Sequence, residues 1–336
     1  MQHPRATSLR TSPPPASAGQ PLLASARPSR TALLCGIARA RHQLLDGGEI
    51  FPDPLALDIL GPVLAARLRA GLDGKGREDR GKDAGSFSQA MRGALVVRSR
   101  IAEDTLRDAV AAGATQYVLL GAGLDTFALR NQWPAGLQRV FEVDHPATQA
   151  WKQGLASQAG LAMPPGGTFV PVDFERQDFM AQLAAHGFDP AARTVFAWLG
   201  VTMYLAPAAV EATLQRIGTQ AAPGSVLVFD YVRQPAPLQW GRKLALGLMA
   251  RRFRRMGEPW RCFLGDEALQ AMLTRHGFDA AEFITPERIR QTLLAHRPST
   301  RRQRILSGLL GGVVRVRVPA GAGSAALAPQ AAASAP

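Results

Sequence analysis

The sequence has few cysteines and no long apolar run, and both shortages limit what kind of protein it can be. Cys35 and Cys262 are the only cysteines among 336 residues. Two cysteines form neither a disulfide framework nor a zinc-binding pattern. No stretch reaches the roughly 18 consecutive apolar residues that a membrane-spanning helix needs. We therefore expect a cytoplasmic protein, kept in a reducing compartment, with no transmembrane segment and no metal site.

Acidic residues are also scarce. Lys and Arg total 39 against 26 Asp and Glu, which gives a formal net charge of +13. A charge of this size can serve binding to nucleic acid or to an acidic membrane surface. The arginines are spread through the chain, however, and no RNA-binding motif with interleaved aromatic residues occurs. Nucleic acid is therefore not the partner that we expect.

Both termini have the composition of disordered tails. Residues 1–28 contain no acid, are rich in Pro, Ser, Ala and Arg, and lack the apolar core of a signal peptide. Residues 320–336 consist mainly of Ala, Gly, Pro and Ser. Such biased compositions favour disorder. Between the tails, the sequence predicts one domain over residues 29–319.

A short apolar run followed by a glycine turn is the feature around which the chain is organised. Tyr117 to Leu120 is typical of a strand buried on both faces, and Gly121 and Gly123 follow it. Glycine has no Cβ, so the backbone can turn sharply and a ligand can come close. Apolar residues from Leu124 onward recur at helical spacing and predict a helix there. This order is typical of nucleotide-binding proteins, in which the ligand lies at the carboxyl end of the strand.

The turn carries a carboxylate where the dinucleotide fingerprint has its third glycine. Asp125 would repel a diphosphate. It suits a ligand that has a positive charge and no phosphate, and S-adenosylmethionine, with a sulfonium and an ammonium group, is such a ligand. The alternative is an ordinary turn in which Asp125 only caps the following helix.

Further strand–helix repeats predict an α/β fold with a doubly wound, mostly parallel sheet of seven strands. The last strand, residues 313–318, is predicted at a sheet edge because Arg315 and Arg317 alternate with apolar residues. Residues 29–112 precede the first strand and predict a helical cap on the core of residues 113–319. The remaining predicted strands are residues 139–143, 168–172, 194–198, 225–231 and 278–283.

Acids follow two of the predicted strands. Asp144 lies about twenty residues beyond the glycines, where an acid can bind both ribose hydroxyls. Glu142 points to the same side of its strand and is the second candidate for that role. Asp173 and Phe174 follow the third strand, where an acceptor and an apolar face can hold a base ring. A solvated acid at the end of a strand is the plain alternative for Asp144.

An inserted basic segment interrupts the repeats. Residues 239–255, within an insertion over 235–262, predict an amphipathic helix in which leucines are interleaved with arginines. Such a helix can be a substrate lid or can lie on a membrane surface. It can also be a plain inserted helix with its charged face in water.

Several motifs in this order give the chain a resemblance to a known family. Residues 30–318 resemble bacterial members of the leucine carboxyl methyltransferase-like family of class I S-adenosylmethionine-dependent methyltransferases, which have a Rossmann-like fold. The motifs are Gly-Ala-Gly-Leu-Asp-Thr at 121–126, Phe-Glu-Val-Asp at 141–144, Trp-Leu-Gly-Val-Thr-Met-Tyr-Leu at 198–205 and Gly-Glu-Pro-Trp at 257–260.

The resemblance implies S-adenosyl-L-methionine as the cofactor and assigns residues to it. Arg98 would bind its carboxylate, Gly121 and Gly123 would pass beneath the methionine part, and Asp144 would bind the ribose. Asp173 and Phe174 would contact the adenine. Family members often carry a glutamate where this chain has Leu199, and Asp125 is the acid that can compensate.

The resemblance also implies methyl transfer to an oxygen, either a carboxylate or a hydroxyl, of a small, polyketide-like molecule or a peptide terminus. A carboxylate acceptor needs no base and can be recruited by Arg92, Arg100 or the arginines of 251–255. A hydroxyl acceptor needs a base, for which Tyr204 and His145 are the candidates. Alternatives are a nicotinamide-dependent oxidoreductase and a non-catalytic basic binding module that keeps the fold.

Overall fold

The computed structural model describes residues 28–71, 86–130, 132–234, 240–255, 257–279, 281–293 and 312–319. Almost all of the predicted tails lies outside these residues. In the described part, none of the helices is long and apolar enough to cross a membrane.

A seven-stranded sheet forms the centre of the protein, with the strand order β3-β2-β1-β4-β5-β7-β6. Strands β1 to β5 are parallel, and β7 is antiparallel to both β5 and β6. The predicted doubly wound, mostly parallel sheet of seven strands is therefore confirmed. The strands are β1 (Gln116–Leu120), β2 (Arg139–Asp144), β3 (Gly167–Pro171), β4 (Thr194–Trp198), β5 (Val226–Tyr231), β6 (Glu282–Ile284) and β7 (Gly312–Arg317).

Helices cover both faces of the sheet, because successive side chains of each buried strand point to opposite faces. Val118 and Leu120 pack on one face with Leu214 and Leu273, whereas Tyr117 packs on the other. The described α-helices are α1 (Arg30–Asp46), α2 (Pro62–Ala70), α3 (Ser86–Ala111), α4 (Pro146–Gln158), α5 (Phe179–Ala185), α6 (Pro207–Gln220), α7 (Trp240–Arg255), α8 (Asp266–Arg275) and α9 (Pro286–Thr292).

The α-helix predicted from Leu124 is wrong. Only one turn of 3-10 helix, Phe127–Leu129, lies between β1 and β2. Leu124 and Leu129 are buried in an apolar cluster with Ala40 of α1. Helix α1 thus supplies the packing that a crossover helix would otherwise give, and the apolar residues after the turn pack against it.

The prediction of β7 as an edge strand is also wrong. It lies between β5 and β6, and Val314 and Val316 are fully or almost fully buried. The Arg315 guanidinium binds the carboxylate of Glu282 on β6, with Nε 2.7 Å from Oε2. An alternating arginine therefore marks a cross-strand ion pair here, and the short strand β6 forms the edge.

Helix α1 is fastened across the carboxyl ends of the parallel strands. Glu258, which follows α7, accepts hydrogen bonds from the backbone N–H groups of Arg30 and Thr31 at 2.6 and 2.9 Å. The Ser29 hydroxyl caps the helix by accepting the N–H of Ala32. Orphan N–H groups at a helix start need such acceptors, and a carboxylate also suits the helix dipole. The inserted segment and helix α1 thus hold each other in place beside the glycine turn that follows β1.

Candidate active site

The glycine turn after β1 is closely packed and leaves no space for side chains. Gly121 and Gly123 have φ values of +69° and +53°, a conformation that other residues rarely adopt. A Cβ at position 121 would overlap the side chain of Val201, and one at position 123 would lie 3.0 Å from the Cβ of Ala32. Close packing of Val201 and Ala32 against the turn therefore requires glycine at both positions.

Asp144 is brought directly to this turn. One carboxylate oxygen accepts the N–H of Gly123 at 2.5 Å, and the other accepts the N–H of His145 at 2.6 Å. Burial raises the pKa of Asp144, while these two backbone donors act in the opposite direction. Each oxygen keeps a lone pair for a further donor, so the geometry suits the predicted contact with two ribose hydroxyls.

Glu142, the second candidate for the ribose, is occupied within the protein. Its two oxygens lie 2.6 and 2.5 Å from Nζ of Lys152 on α4, and both side chains are almost completely buried. Burial raises the pKa of Glu142 to about 7, against the attraction of Lys152. The pair links β2 to α4 beneath Asp144 and serves to hold this strand end in place.

Asp173 and Phe174 lie next to Asp144 at the end of β3. The N–H of Val172 donates to the backbone oxygen of Asp144 at 2.8 Å, which keeps the two strand ends together. The Asp173 carboxylate accepts the N–H of Glu175 at 3.0 Å. The Phe174 ring is half-buried and lies 5.9 Å from the Phe179 ring. The pair can thus offer an acceptor and an apolar face, as their predicted role at the adenine requires.

An ion pair lies near the carboxyl end of β5. We refer to the region between the glycine turn, Asp144 and this ion pair as the crevice. Arg98 of α3 places Nη1 2.7 Å from Oδ2 of Asp230 near the end of β5. The other Asp230 oxygen accepts the N–H of Gly200 at 2.5 Å, and Nη2 of Arg98 lies 3.4 Å from the Cys35 sulfur. Burial alone would lower the pKa of Arg98, but the Asp230 carboxylate outweighs it and raises the pKa. A cation and an anion therefore stand side by side where the methionine part was predicted.

Asp230 is a candidate that the sequence reasoning missed. Its signal was present, because it is the penultimate residue of a predicted strand whose neighbour β4 ends before Leu199. The rule that identified Asp144, an acid at a strand's carboxyl end, applies equally to Asp230. Leu199 itself is half-buried and packs in an apolar cluster.

Asp125 faces away from this ion pair and into a buried network beneath α1. Its carboxylate lies 2.8 Å from Nη1 of Arg39 and accepts the N–H of Phe127, also at 2.8 Å. Burial acts to raise the pKa of Asp125, but Arg39, Lys152, Arg130 and the N–H of Phe127 together outweigh it and lower the pKa. Asp53 joins the network through Arg39 and the Thr126 hydroxyl. These are the contacts of a turn-stabilising residue, and the contact of Asp125 with the cofactor stays a prediction.

The two candidate bases are placed differently from what proton abstraction requires. His145 caps α4 by accepting the N–H of Ala147 at Nδ1, at 3.2 Å. A neutral imidazole that accepts at Nδ1 carries its proton on Nε2 and has no free basic nitrogen. Burial raises the pKa of Tyr204 well above its usual range, so its hydroxyl stays protonated at neutral pH.

Two of the cations expected to recruit an acceptor, Arg92 and Arg100, are engaged elsewhere. Arg92 binds Asp46 of α1 at 2.8 Å, and Arg100 binds Asp104 one helical turn away at 2.7 Å. The exposed arginines of α7 have no ion pair with a described acid. Within the described ranges, no group of three or more His, Cys, Asp and Glu side chains is arranged to hold a metal ion.

The sheet order with its antiparallel β7 and the glycine turn between β1 and Asp144 define the Rossmann-like fold of class I methyltransferases. The model of one family, described as leucine carboxyl methyltransferase, matches residues 32–218. The chain belongs to this family. The resemblance read from the motifs is thereby confirmed, and the class is methyltransferase rather than nicotinamide oxidoreductase.

Relatives carry names of the same class. A Bacillus subtilis protein, YktD, named as a candidate S-adenosyl-L-methionine-dependent methyltransferase, is 27% identical over 281 residues, 80% of this chain and 92% of the relative. A Frankia alni protein with the same description is 37% identical over 196 residues, 56% of this chain and 64% of the relative. Among solved structures, a candidate methyltransferase from Thermobifida fusca has a TM-score of 0.49 and 18% identity, covering 89% of this chain and 97% of that chain.

Proposed function

We propose that the protein transfers the methyl group of S-adenosyl-L-methionine to a carboxylate oxygen of a small molecule or of a peptide terminus. The methyltransferase class follows from the family, and relatives are named as dependent on this donor. The choice of a carboxylate acceptor is carried by one observation, the arrangement of His145 and Tyr204.

The residues at the carboxyl ends of the parallel strands support binding of the cofactor at two places, Asp144 and the Arg98–Asp230 pair. Asp144, whose carboxylate lies at the glycine turn, would accept hydrogen bonds from the ribose hydroxyls. The paired charges of Arg98 and Asp230 suit the two charged ends of an amino acid, with the guanidinium toward the carboxylate and Asp230 toward the ammonium. We assign to Asp230 the acidic role that the family often gives to a glutamate at position 199. The bound donor supplies an electrophilic methyl group on a positively charged sulfur.

The state of the two candidate bases favours an acceptor that is already ionised. A hydroxyl must lose its proton during the reaction, and some group has to receive it. The basic nitrogen of His145 is used in capping, and Tyr204 is protonated at neutral pH, as tyrosines ordinarily are, with burial raising its pKa further. A carboxylate is ionised at neutral pH and needs no base. The protein then acts by holding the two reactants in line and by excluding water.

Tyr204 is suited to positioning the acceptor. It adjoins the end of β4, and its ring lies 6.3 Å from Phe253 on α7. A protonated phenol can donate a hydrogen bond to an acceptor oxygen without abstracting a proton. Helix α7 contacts this tyrosine through Phe253.

The test is the chemistry of the product. The protein is incubated with the methyl donor, labelled in its methyl group, and with matched pairs of acceptors that differ in a carboxylate or a hydroxyl. The expected product is a methyl ester, which releases labelled methanol in mild alkali, formed at a rate that is flat from weakly acidic to weakly alkaline pH. Label that resists alkali, with a rate that rises with pH, would assign a hydroxyl acceptor and a base, and would contradict the proposal.

A further inference from the structure

Helix α7 has an inner face that is fixed to the protein and needs no further partner. Leu246 and Met249 are buried, and Leu246 packs with Met203 and Val232 in an apolar cluster. The backbone N–H of Arg261, beyond the helix, donates to the oxygen of Met203 at 2.7 Å. The helix is therefore held at a defined orientation, so its other side is a defined surface.

The outer face of α7 combines large apolar side chains with a cluster of cations. Leu244 and Leu248, one helical turn apart, are 61% and 58% exposed. No acid occurs anywhere in the helix. The exposed cations on this face are Lys243, Arg251, Arg252, Arg254 and Arg255. None of them forms an ion pair with an acid in the described part of the chain.

These two features together select one kind of partner. A helix that faces only water gains no stability from two leucines as exposed as these. A nucleic acid backbone would be bound by the cations alone, so the leucines would have no part in that contact. An anionic bilayer uses both, because leucines enter the boundary between head groups and acyl chains while arginines bind lipid phosphates. We propose that the outer face of α7 docks the protein on the surface of an anionic lipid bilayer.

Phe263, which follows the helix, is 37% exposed, and aromatic rings are enriched at the level of the lipid head groups. Its neighbour Trp260 packs inward, on Phe253 and on the apolar cluster of Leu246. The docking proposal does not depend on the nature of the methyl acceptor, so it stands or falls separately from the proposed function.

The test is sedimentation of the full chain with vesicles of phosphatidylcholine alone and with vesicles that also contain phosphatidylglycerol. One variant, Leu244→Gln with Leu248→Gln, keeps the charge and removes the apolar pair. A second, Arg251→Gln with Arg255→Gln, removes two cations. The matched control, Arg107→Gln with Arg275→Gln, removes two exposed cations outside α7. Unchanged melting temperature and unchanged S-adenosylhomocysteine affinity show that each variant is folded.

The wild type and the control are expected to sediment with the anionic vesicles and not with the vesicles of phosphatidylcholine alone. Loss of two arginines should weaken partitioning roughly 30-fold, at about one kcal/mol per cation. Loss of the two leucines should weaken it about tenfold, from the apolar area no longer buried. The proposal is overturned if the control loses as much as the arginine variant, since net charge would then explain the binding. The proposal is also overturned if the leucine variant binds the anionic vesicles as well as the wild type does. Tight binding to single-stranded RNA that the leucine substitutions leave unchanged overturns it too.

Discussion

The ion pair between Arg98 and Asp230 is the residue-scale feature on which the proposed binding of the methionine part depends. Each side chain is about nine-tenths buried, and each holds the other in place. If Asp230 binds the cofactor ammonium and Arg98 binds its carboxylate, substitution of each residue should lower the affinity only for ligands that carry the functional group it binds.

Replacing Asp230 by Asn should weaken binding of S-adenosylhomocysteine by about 1.5–3 kcal/mol, the usual contribution of a hydrogen bond to a charged group. The same variant should bind the S-adenosylhomocysteine analogue that lacks the amino group almost as well as the wild type does. Arg98→Ala should weaken binding of S-adenosylhomocysteine and of this analogue, but should hardly change binding of the analogue that lacks the carboxylate. Calorimetric titrations of both variants with the three ligands measure this.

Asp178→Asn, at the start of α5, is the control for these titrations, because it removes an acid that caps a helix away from the ion pair. Equal losses for all ligands in the Asp230 variant would mean that the substitution disturbs the fold. That outcome would remove Asp230 from the ammonium site.

The contact between α1 and α3 depends on a partly buried acid, and it makes an element-scale prediction with a pH dependence. Asp46 at the end of α1 binds Arg92 of α3 at 2.8 Å and lies 3.0 Å from His42. Burial would raise the pKa of Asp46, but His42 and Arg92 outweigh it and lower the pKa. A lowered folded-state pKa adds stability above the unfolded-state value, and this stability is lost as the pH falls through the folded-state value.

Asp46→Asn should therefore lower the free energy of unfolding at neutral pH by on the order of 1 kcal/mol, since water screens a partly exposed pair. The difference from the wild type should shrink as the pH falls below the ordinary carboxyl pKa. Urea denaturation of both proteins at neutral and acidic pH measures it. A difference that stays constant over this range would assign the effect to packing instead of charge.

Glu258 carries the second element-scale prediction, because it fastens α1 over the glycine turn. Glu258→Ala should destabilise the start of α1 by about 1–2 kcal/mol, the usual size for loss of a helix cap. Hydrogen exchange of the amides of Arg30 and Thr31 should become faster, and S-adenosylhomocysteine should bind more weakly. Ser29→Ala is the comparison that removes the side-chain cap on Ala32 and the hydroxyl bond to Glu258 but keeps the two bonds from the N–H groups of Arg30 and Thr31 to Glu258. Unchanged exchange in the Glu258 variant would mean that α1 needs no fastening by the inserted segment.

At the scale of the whole molecule, the sequence predicted the sheet well because buried parallel strands have a composition that can be read locally. Strand β4 has the predicted bounds, and Asp144 lies at the glycine turn as its spacing indicated. Local patterns of this kind do not depend on distant partners.

The errors have the opposite origin, since each depends on a contact between residues far apart in sequence. The apolar residues after the glycine turn pack against α1, about 85 residues earlier, and therefore need no helix of their own. Arg315 has the sequence pattern of a solvent-facing residue on an edge strand, but in the structure Glu282 lies opposite it on β6 and binds it. The pair of Asp125 with Arg39 likewise joins residues far apart in sequence and could not be predicted locally, while the contact of Asp125 with the cofactor stays a prediction.

Calorimetric titration with S-adenosylhomocysteine tests the central claim most directly, namely that the crevice between the glycine turn, Asp144 and the Arg98–Asp230 pair binds an adenosine-containing cofactor. We expect one molecule to bind per chain. Asp144→Ala should weaken binding by roughly 1.5–3 kcal/mol through loss of its contacts with the ribose. No heat from the wild type at high micromolar ligand, or equal affinity in the folded Asp144 variant, would contradict the claim.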